Sequence, residues 1–309
     1  MTKLYLVVPC YNEQEVLPET AKRLREKFTR LQEAGTVSPD SRVVFVNDGS
    51  GDDTWNIISG LHQQDPLFSG IDLSRNRGHQ NALLAGLMTV REEADCVISM
   101  DADLQDDIDA MDEMLEKYEG GCEIVYGVRS ARKTDTAFKR LTAEGFYRVM
   151  KLMGAELVFN HADYRLMSRR ALDALAEFDE VNLFLRGMVP MVGFRTDVVY
   201  YERSERFAGE SKYPLKKMLS FAFEGITSLS DRPIRMIGAL GGLLMAGSLL
   251  TLLILLILGK VTGTAFLGCS LFFLSGLQLL AIGIVGRYVG KTYLETKHRP
   301  RYIIREYLS

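Results

Sequence analysis

Residues 236–259 and 261–286 run for 24 and 26 residues without a single charged side chain, and nothing else in the chain limits its fold as strongly. A helix rises about 1.5 Å per residue, so about 20 residues cross the hydrocarbon core of a bilayer. Each run can span with some tilt. Lys260 is the one charge between 236 and 286, while the other 258 residues carry 76 of the 77 charges. The chain is therefore a charged soluble body joined to a very apolar piece. That excludes a wholly soluble enzyme, a polytopic transporter and a disordered chain. A net charge of −3 gives no support to nucleic-acid binding, which needs a basic face.

The short connection around Lys260 makes the two runs a hairpin, with both outer ends on one side. Lys216, Lys217, Arg232 and Arg235 precede it, and Arg287, Lys291, Lys297, Arg299, Arg301 and Arg305 follow it. This excess of cations predicts that both termini are cytoplasmic and that the protein crosses the inner (plasma) membrane twice. Gly238, Gly241, Gly242, Ala246 and Gly247 permit close helix packing, within the hairpin or between copies of a homo-oligomer. Gln278, at mid-membrane depth, is either a helix–helix contact or a tolerated amide. In 213–229, Leu215, Met218, Leu219, Ala222 and Ile226 recur near helical spacing after Pro214, which predicts an amphipathic helix on the membrane surface. Cys10, Cys96, Cys122 and Cys269 lie in apolar runs without C-x-x-C spacing, so they read as buried thiols with no zinc site and no disulfide. The expected organisation is a catalytic body over 1–212, a juxtamembrane helix over 213–233, the hairpin over 234–290 and a basic tail over 291–309.

The first 130 residues alternate apolar runs with helix-period segments. Strands are predicted at 4–9, 43–47, 70–73, 96–100 and 124–127, and helices at 13–32, 54–64, 79–92 and 108–118. This order predicts an α/β fold, a mainly parallel sheet with helices on both faces. Ligands of such sheets bind at the carboxyl ends of the strands, and the polar clusters fall there. Asp101-Ala102-Asp103 places two carboxylates just past a buried strand, where a hard divalent cation such as Mg²⁺ or Mn²⁺ would relieve their repulsion. A lone Asp-x-Asp is weak by itself, since solvated pairs are common. Asp48-Gly49-Ser50-Gly51 alone is a turn ahead of a helix start, with Asp52 or Asp53 as the cap. No dinucleotide glycine fingerprint and no Walker lysine motif is present. Trp55 reads as a helix–sheet packing residue, and His62 and His161 have no ligand spacing. The acidic run 106–109 reads as a helix start, where negative charge is favourable.

Val8-Pro9-Cys10-Tyr11-Asn12-Glu13, Val46-Asn47-Asp48-Gly49-Ser50 and Met100-Asp101-Ala102-Asp103-Leu104-Gln105 together resemble the family 2 glycosyltransferases of GT-A fold. Tyr126-Gly127-Val128-Arg129, Asp163-Tyr164-Arg165-Leu166-Met167 and the run from Arg203 to Tyr213 look like the polyprenyl-phosphate branch. That branch includes dolichyl-phosphate mannose synthases and bacterial undecaprenyl-phosphate glucosyl-type transferases. The resemblance implies that Pro9, Tyr11, Glu13 and Asp48 hold the base and ribose of a nucleotide-sugar. Asp101, Asp103 and Gln105 would form the Mg²⁺ or Mn²⁺ site, with Ala102 lending backbone contact. Arg129 would approach phosphates or sugar. Arg206, Ser211 and Lys212, with Arg203 as a further candidate, would contact the diphosphate and the lipid phosphate. Asp163 would orient acceptor or sugar, or else be a structural partner of Arg165 or Arg170. The chain departs from relatives at Asn47, where many have an acidic residue, and at His79-Gln80, where some have Lys-Glu; the latter bears on sugar choice or on nothing.

The implied reaction is inverting transfer of a sugar from UDP-glucose or UDP-N-acetylglucosamine, with GDP-mannose next, to polyprenyl (undecaprenyl) phosphate in the bilayer. A phosphate monoester with a second pKa of about 6 is mostly dianionic at neutral pH and needs no strong base. Two rivals remain. A processive polysaccharide synthase would carry Gln-x-x-Arg-Trp near the membrane, whereas Trp55 is the only tryptophan here. A nucleotide-sugar-binding membrane protein without turnover would not need the Asp101/Asp103 pair together with the cationic 203–212 run.

Overall fold

The computed structural model describes residues 1–130, 161–181, 183–202 and 263–309. Arg203, Arg206, Ser211, Lys212, the amphipathic stretch 213–229 and the first uncharged run 236–259 lie outside them.

Strand β1 (Leu4–Cys10) is buried along its whole length, as a strand covered on both faces must be. Its side chains alternate between two cores. Leu4, Leu6 and Val8 face α1 (Leu17–Glu33), α2 (Thr54–Gln64) and α4 (Ala110–Glu119), meeting residues such as Phe28, Ile58 and Met111. Tyr5 and Val7 face α3 (His79–Val90), α5 (Arg169–Ala176) and α6 (Leu185–Met191), meeting Leu83, Leu172 and Met188. Helix α3 lies so close to the sheet that a Cβ on Gly86 would come within 2.4 Å of Val7 Cγ1.

Among the described residues, eight strands form one sheet in the order β7-β5-β6-β4-β1-β2-β3-β8. The remaining strands are β2 (Arg42–Asn47), β3 (Phe68–Leu73), β4 (Cys96–Ser99), β5 (Ile124–Arg129), β6 (His161–Ser168), β7 (Thr196–Tyr201) and β8 (Ile304–Leu308). Strands β4, β1, β2 and β3 are parallel, as is β5 with β7; β6 runs antiparallel between β4 and β5, and β8 antiparallel to β3. The mainly parallel α/β expectation therefore holds. Helix α1 starts at Leu17, later than its predicted start, because residues 14–16 form a turn and Pro18 then suits the first helical positions. Trp55 packs over Gly70 of β3, and His62 Nδ1 meets the Phe68 carbonyl at 2.9 Å.

Helix α7 (Thr264–Thr296) covers 33 residues, including most of the second uncharged run. Leu267, Leu271, Leu274, Ile282, Val285 and Val289 on it are exposed. Among the described residues, no helix is long and apolar enough to cross a membrane. The segment expected as a basic tail continues α7 to Thr296 and then supplies β8 to the sheet edge.

Candidate functional site

The parallel strands β1, β2, β3 and β4 end on one side of the sheet, and their following loops build the site. After β2, Asp48 is buried at 2% exposure; its Oδ1 accepts from the Arg77 amide at 2.7 Å and its Oδ2 from the Gly78 amide at 2.9 Å. Burial pushes its carboxyl up, against those two amides. Asp48 thus braces the loop after β3 against the end of β2. Gly49 holds φ +63°, and a Cβ there would come within 2.5 Å of the Asn76 amide nitrogen. Pro9 pairs within the sheet, whereas Tyr11 is 44% exposed beyond it. The Glu13 amide donates to Thr54 Oγ1 at 3.0 Å, tying the loop after β1 to the start of α2.

The Asp101-Ala102-Asp103 turn follows β4 and is pinned by Thr20 Oγ1 donating to the Ala102 carbonyl at 2.9 Å. Leu104 has φ +55°, a conformation bulky L residues avoid, and the Gln105 amide donates to Asp103 Oδ1 at 3.2 Å. Strain of this kind persists only where the surroundings enforce it. Burial pushes the Asp101 carboxyl up; His79 opposes this, while Asp106, Asp163 and Asp103 add to it. Its ionised form is therefore short of positive charge. Asp101, Asp103 and Gln105 offer hard oxygens, the donor type that suits Mg²⁺ or Mn²⁺ with substrate phosphates completing the shell. Among the described residues, no three or more His, Cys, Asp or Glu are grouped so as to hold a metal by themselves.

Opposite this turn stands a cationic wall. Asp163, on β6, is bound by Arg165 at 2.5 Å and by Arg186 at 3.0 Å, with His79 Nε2 at 3.6 Å. The same His79 nitrogen lies 3.6 Å from Asp101 Oδ1. Burial would raise the Asp163 carboxyl, but Arg186, His79 and Arg165 together hold it well below the usual carboxylate range. Burial would likewise lower His79, yet Asp163 and Asp101 push it up to about 9. Arg170 pairs with Glu123 instead, so Arg165 is the structural partner of Asp163.

Arg129 ends β5, donating to Asp106 Oδ1 at 3.2 Å and to the Tyr201 hydroxyl at 3.3 Å, and it feels the charge of Asp101. Asp106 is 4% exposed and also accepts from the Tyr201 hydroxyl at 2.6 Å. It precedes α4 as a partner of Arg129 and takes no part in starting that helix, whereas Asp109 pairs with Lys27 at 2.9 Å.

The structure thus brings together Asp48, Asp101, Ala102, Asp103, Gln105, Arg129 and Asp163 at one end of the sheet, with Pro9, Tyr11 and Glu13 on the neighbouring loop. Arg203, Arg206, Ser211 and Lys212 lie outside the described residues. One member, Arg186, was invisible in the sequence. It sits in an apolar helix start with no motif around it. Gln80, beside His79, accepts from the Leu185 amide at 2.9 Å and so docks the helix that carries Arg186. The departure at His79-Gln80 is built into the site.

Residues 5–176 match the model of glycosyl transferase family 2. The chain is 52% identical over 305 residues to the uncharacterised glycosyltransferase YkoT of Bacillus subtilis, covering 97% of this chain and 90% of that one. It is 41% identical over 309 residues to the bactoprenol glucosyl transferase of Shigella phage SfV, covering 98% of both. A crystal structure of mannosyl-3-phosphoglycerate synthase from Rubrobacter xylanophilus superposes with a TM-score of 0.50 at 16% identity, over 77% of this chain and 75% of that one, a likeness of GT-A fold alone.

Proposed function

This chain belongs to glycosyl transferase family 2, and from that premise we propose that it moves a hexose from a nucleotide-sugar to a polyprenyl phosphate in the bilayer. The observation that carries this is one charged cluster at the strand ends: His79 bridges Asp101 and Asp163, Arg186 holds Asp163, and Arg129 pairs with Asp106, beside the loop braced by Asp48. The 41% identity to a bactoprenol glucosyl transferase supports the acceptor class. UDP-glucose or UDP-N-acetylglucosamine is the proposed donor and GDP-mannose the alternative.

Asp101, Asp103 and Gln105 would hold Mg²⁺ or Mn²⁺. When bound, the ion supplies charge that stabilises a departing diphosphate. The remaining work falls to the protein. The loops carrying Tyr11, Glu13 and Asp48 hold the nucleoside, and Ala102 offers its backbone. Arg129, fixed by Asp106 and Tyr201, presents a preorganised cation that needs no reorientation during reaction. Arg186 and His79 gather anionic oxygens on the far side, and the resemblance assigns Arg203, Arg206, Ser211 and Lys212 to the diphosphate and the lipid phosphate. Asp163 is engaged by two guanidiniums and held ionised, which makes it a poor base and a good orienter of Arg186 and His79. No strong base is required, because a phosphate monoester is mostly dianionic at neutral pH. Attack from the face opposite the diphosphate inverts the anomeric centre.

The membrane reading rests on the two uncharged runs and on the exposed apolar row of α7. Strand β8 adds a topological argument. It shares one sheet with β1 to β7, so any bilayer crossings between residues 202 and 304 come in an even number, which is compatible with a hairpin. Two spans, at 236–259 and 261–286, preceded by an interfacial helix over 213–233, satisfy this with both termini in the cytoplasm.

The test is turnover by the purified full chain with Mg²⁺ or Mn²⁺, undecaprenyl phosphate and a panel of UDP- and GDP-sugars, read as glycolipid mass. A new lipid-phosphate hexose identifies the donor. Absence of any glycolipid across the panel overturns the proposal.

A further inference from the structure

We propose that Arg305, on the strand β8 that follows α7, is a positioning residue for the nucleotide-binding loops, acting on them through the buried pair Asp72 and Asn47. This rests on the assignment of those loops to the nucleotide. Asp72, on β3, is fully buried. A carboxylate there is costly to keep ionised without a paired cation. Its partners among the described residues are two. Oδ1 accepts from Asn47 Nδ2 at 2.8 Å, and Oδ2 is gripped by both Nε and a terminal nitrogen of Arg305, which is 233 residues away in the chain.

The pairing of β8 with β3 slips at this point: Asp72 faces Glu306 and Leu73 faces Ile304, which leaves Arg305 as the extra residue of a bulge. Bulges re-aim a side chain. Here the bulge brings the guanidinium, on a side chain that stays 61% exposed, onto the buried carboxylate.

From Asp72 the connection runs to the site. Asn47 is 2% exposed, and its amide is oriented because Asp72 can only accept from it. That leaves Asn47 Oδ1 to accept from the Ser50 amide at 3.2 Å. Ser50 Oγ accepts from the Asn12 amide at 3.0 Å, and Asn12 Oδ1 accepts from the Gly51 amide at 2.9 Å. One hydrogen-bonded path therefore joins β8 to the loops after β1 and β2, which carry Tyr11, Glu13 and Asp48. Without Arg305, Asp72 Oδ2 loses the guanidinium that fixes the carboxylate, so Asp72 is no longer held against Asn47 Nδ2; the Asn47 amide loses its orientation and with it the Ser50 contact. The departure at Asn47 gains a purpose here, since an acidic residue at that position would repel Asp72.

The test uses the full chain with Arg305→Ala, Arg305→Lys and, breaking the path midway without touching β8, Asn47→Leu. Tyr307→Phe on the same strand, which loses only a contact with Glu93, is the control. Hydrogen exchange of the substrate-free protein across residues 47–53 reads the loop directly, and donor KM against kcat reads its consequence. Arg305→Ala and Asn47→Leu should both speed exchange at 47–53 and raise donor KM about fivefold to tenfold with kcat little changed, the scale of one lost loop hydrogen bond. Arg305→Lys should recover part of this, and Tyr307→Phe should match the parent. Faster exchange confined to β3 and β8, with 47–53 and KM unchanged, would make β8 a plain edge cap and overturn the proposal. A parent protein without turnover whose Arg305→Ala variant still loosens 47–53 would sink the transferase reading and leave the coupling standing.

Discussion

Replacing Asp163 by asparagine separates an orienting carboxylate from a catalytic base. The change is nearly isosteric and removes only the charge. It leaves the Arg165 guanidinium, at 1% side-chain exposure, facing a neutral amide, with Arg186 and His79 beside it at 31% and 38% exposure. The two half-open partners are discounted for solvent screening. The buried Arg165 contact remains, and removing one partner of such a pair costs about 3 kcal/mol or more. At about 2–4 °C per kcal/mol for a chain of this size, Tm should fall by about 6–12 °C. Thermal unfolding of the solubilised protein by circular dichroism measures this, with donor turnover followed in parallel. The Asp163 carboxyl is depressed when folded, so its stabilisation is present above the unfolded carboxylate pKa of about 3.9 and disappears only as pH falls through the lower folded value. The Tm gap should therefore persist at pH 5 and close only in strong acid. A variant that melts within about 1 °C of the parent while losing turnover would refute this account and point to Asp163 as a base.

Four further outcomes are expected. His79 should titrate near pH 9 by NMR in metal-free protein; since its folded pKa exceeds the unfolded one of about 6.5, its stabilisation is complete below 6.5 and lost as pH rises through 9, and a midpoint near 6.5 would contradict the contacts with Asp101 and Asp163. Gly49→Ala must displace backbone at Arg75 and Asn76, so calorimetry should show nucleoside diphosphate affinity lowered about tenfold or more, and unchanged affinity would mean the loop adapts freely. Asp103→Ala should abolish metal-dependent turnover with far-UV circular dichroism unchanged; retained activity removes the ion from Asp101 and Asp103. Arg206→Ala should lose transfer yet keep donor binding in equilibrium dialysis, and equal loss of both would make the 203–212 run part of the nucleotide site.

The parallel half of the sheet was legible because β1 to β4 are covered on both faces, and such strands appear as apolar runs ending in polar turns, with Ser69 and Asp72 interrupting the run only in β3. Strand β6 hid because Asp163 and Arg165 interrupt its run; their charges are neutralised by each other and by Arg186, a contact between residues 23 apart. Strand β8 hid because it is half-exposed and rich in charge, and its reason for pairing, the buried Asp72, lies on another strand. Arg186 carried no local signal, since nothing in its helix calls for a cation.

By itself the sequence determined the α/β order, the strand-end turns with their acidic pair, and the contrast between a charged body and two uncharged runs. These follow from local periodicity and composition, which each segment carries within itself. Tertiary structure alone decided which cations face Asp163 and Asp101, that Asp48 is spent on bracing a neighbouring loop, and that residues after α7 return to the catalytic sheet. Those are pairings between distant residues, settled by which buried charge finds which partner once the chain has closed on itself.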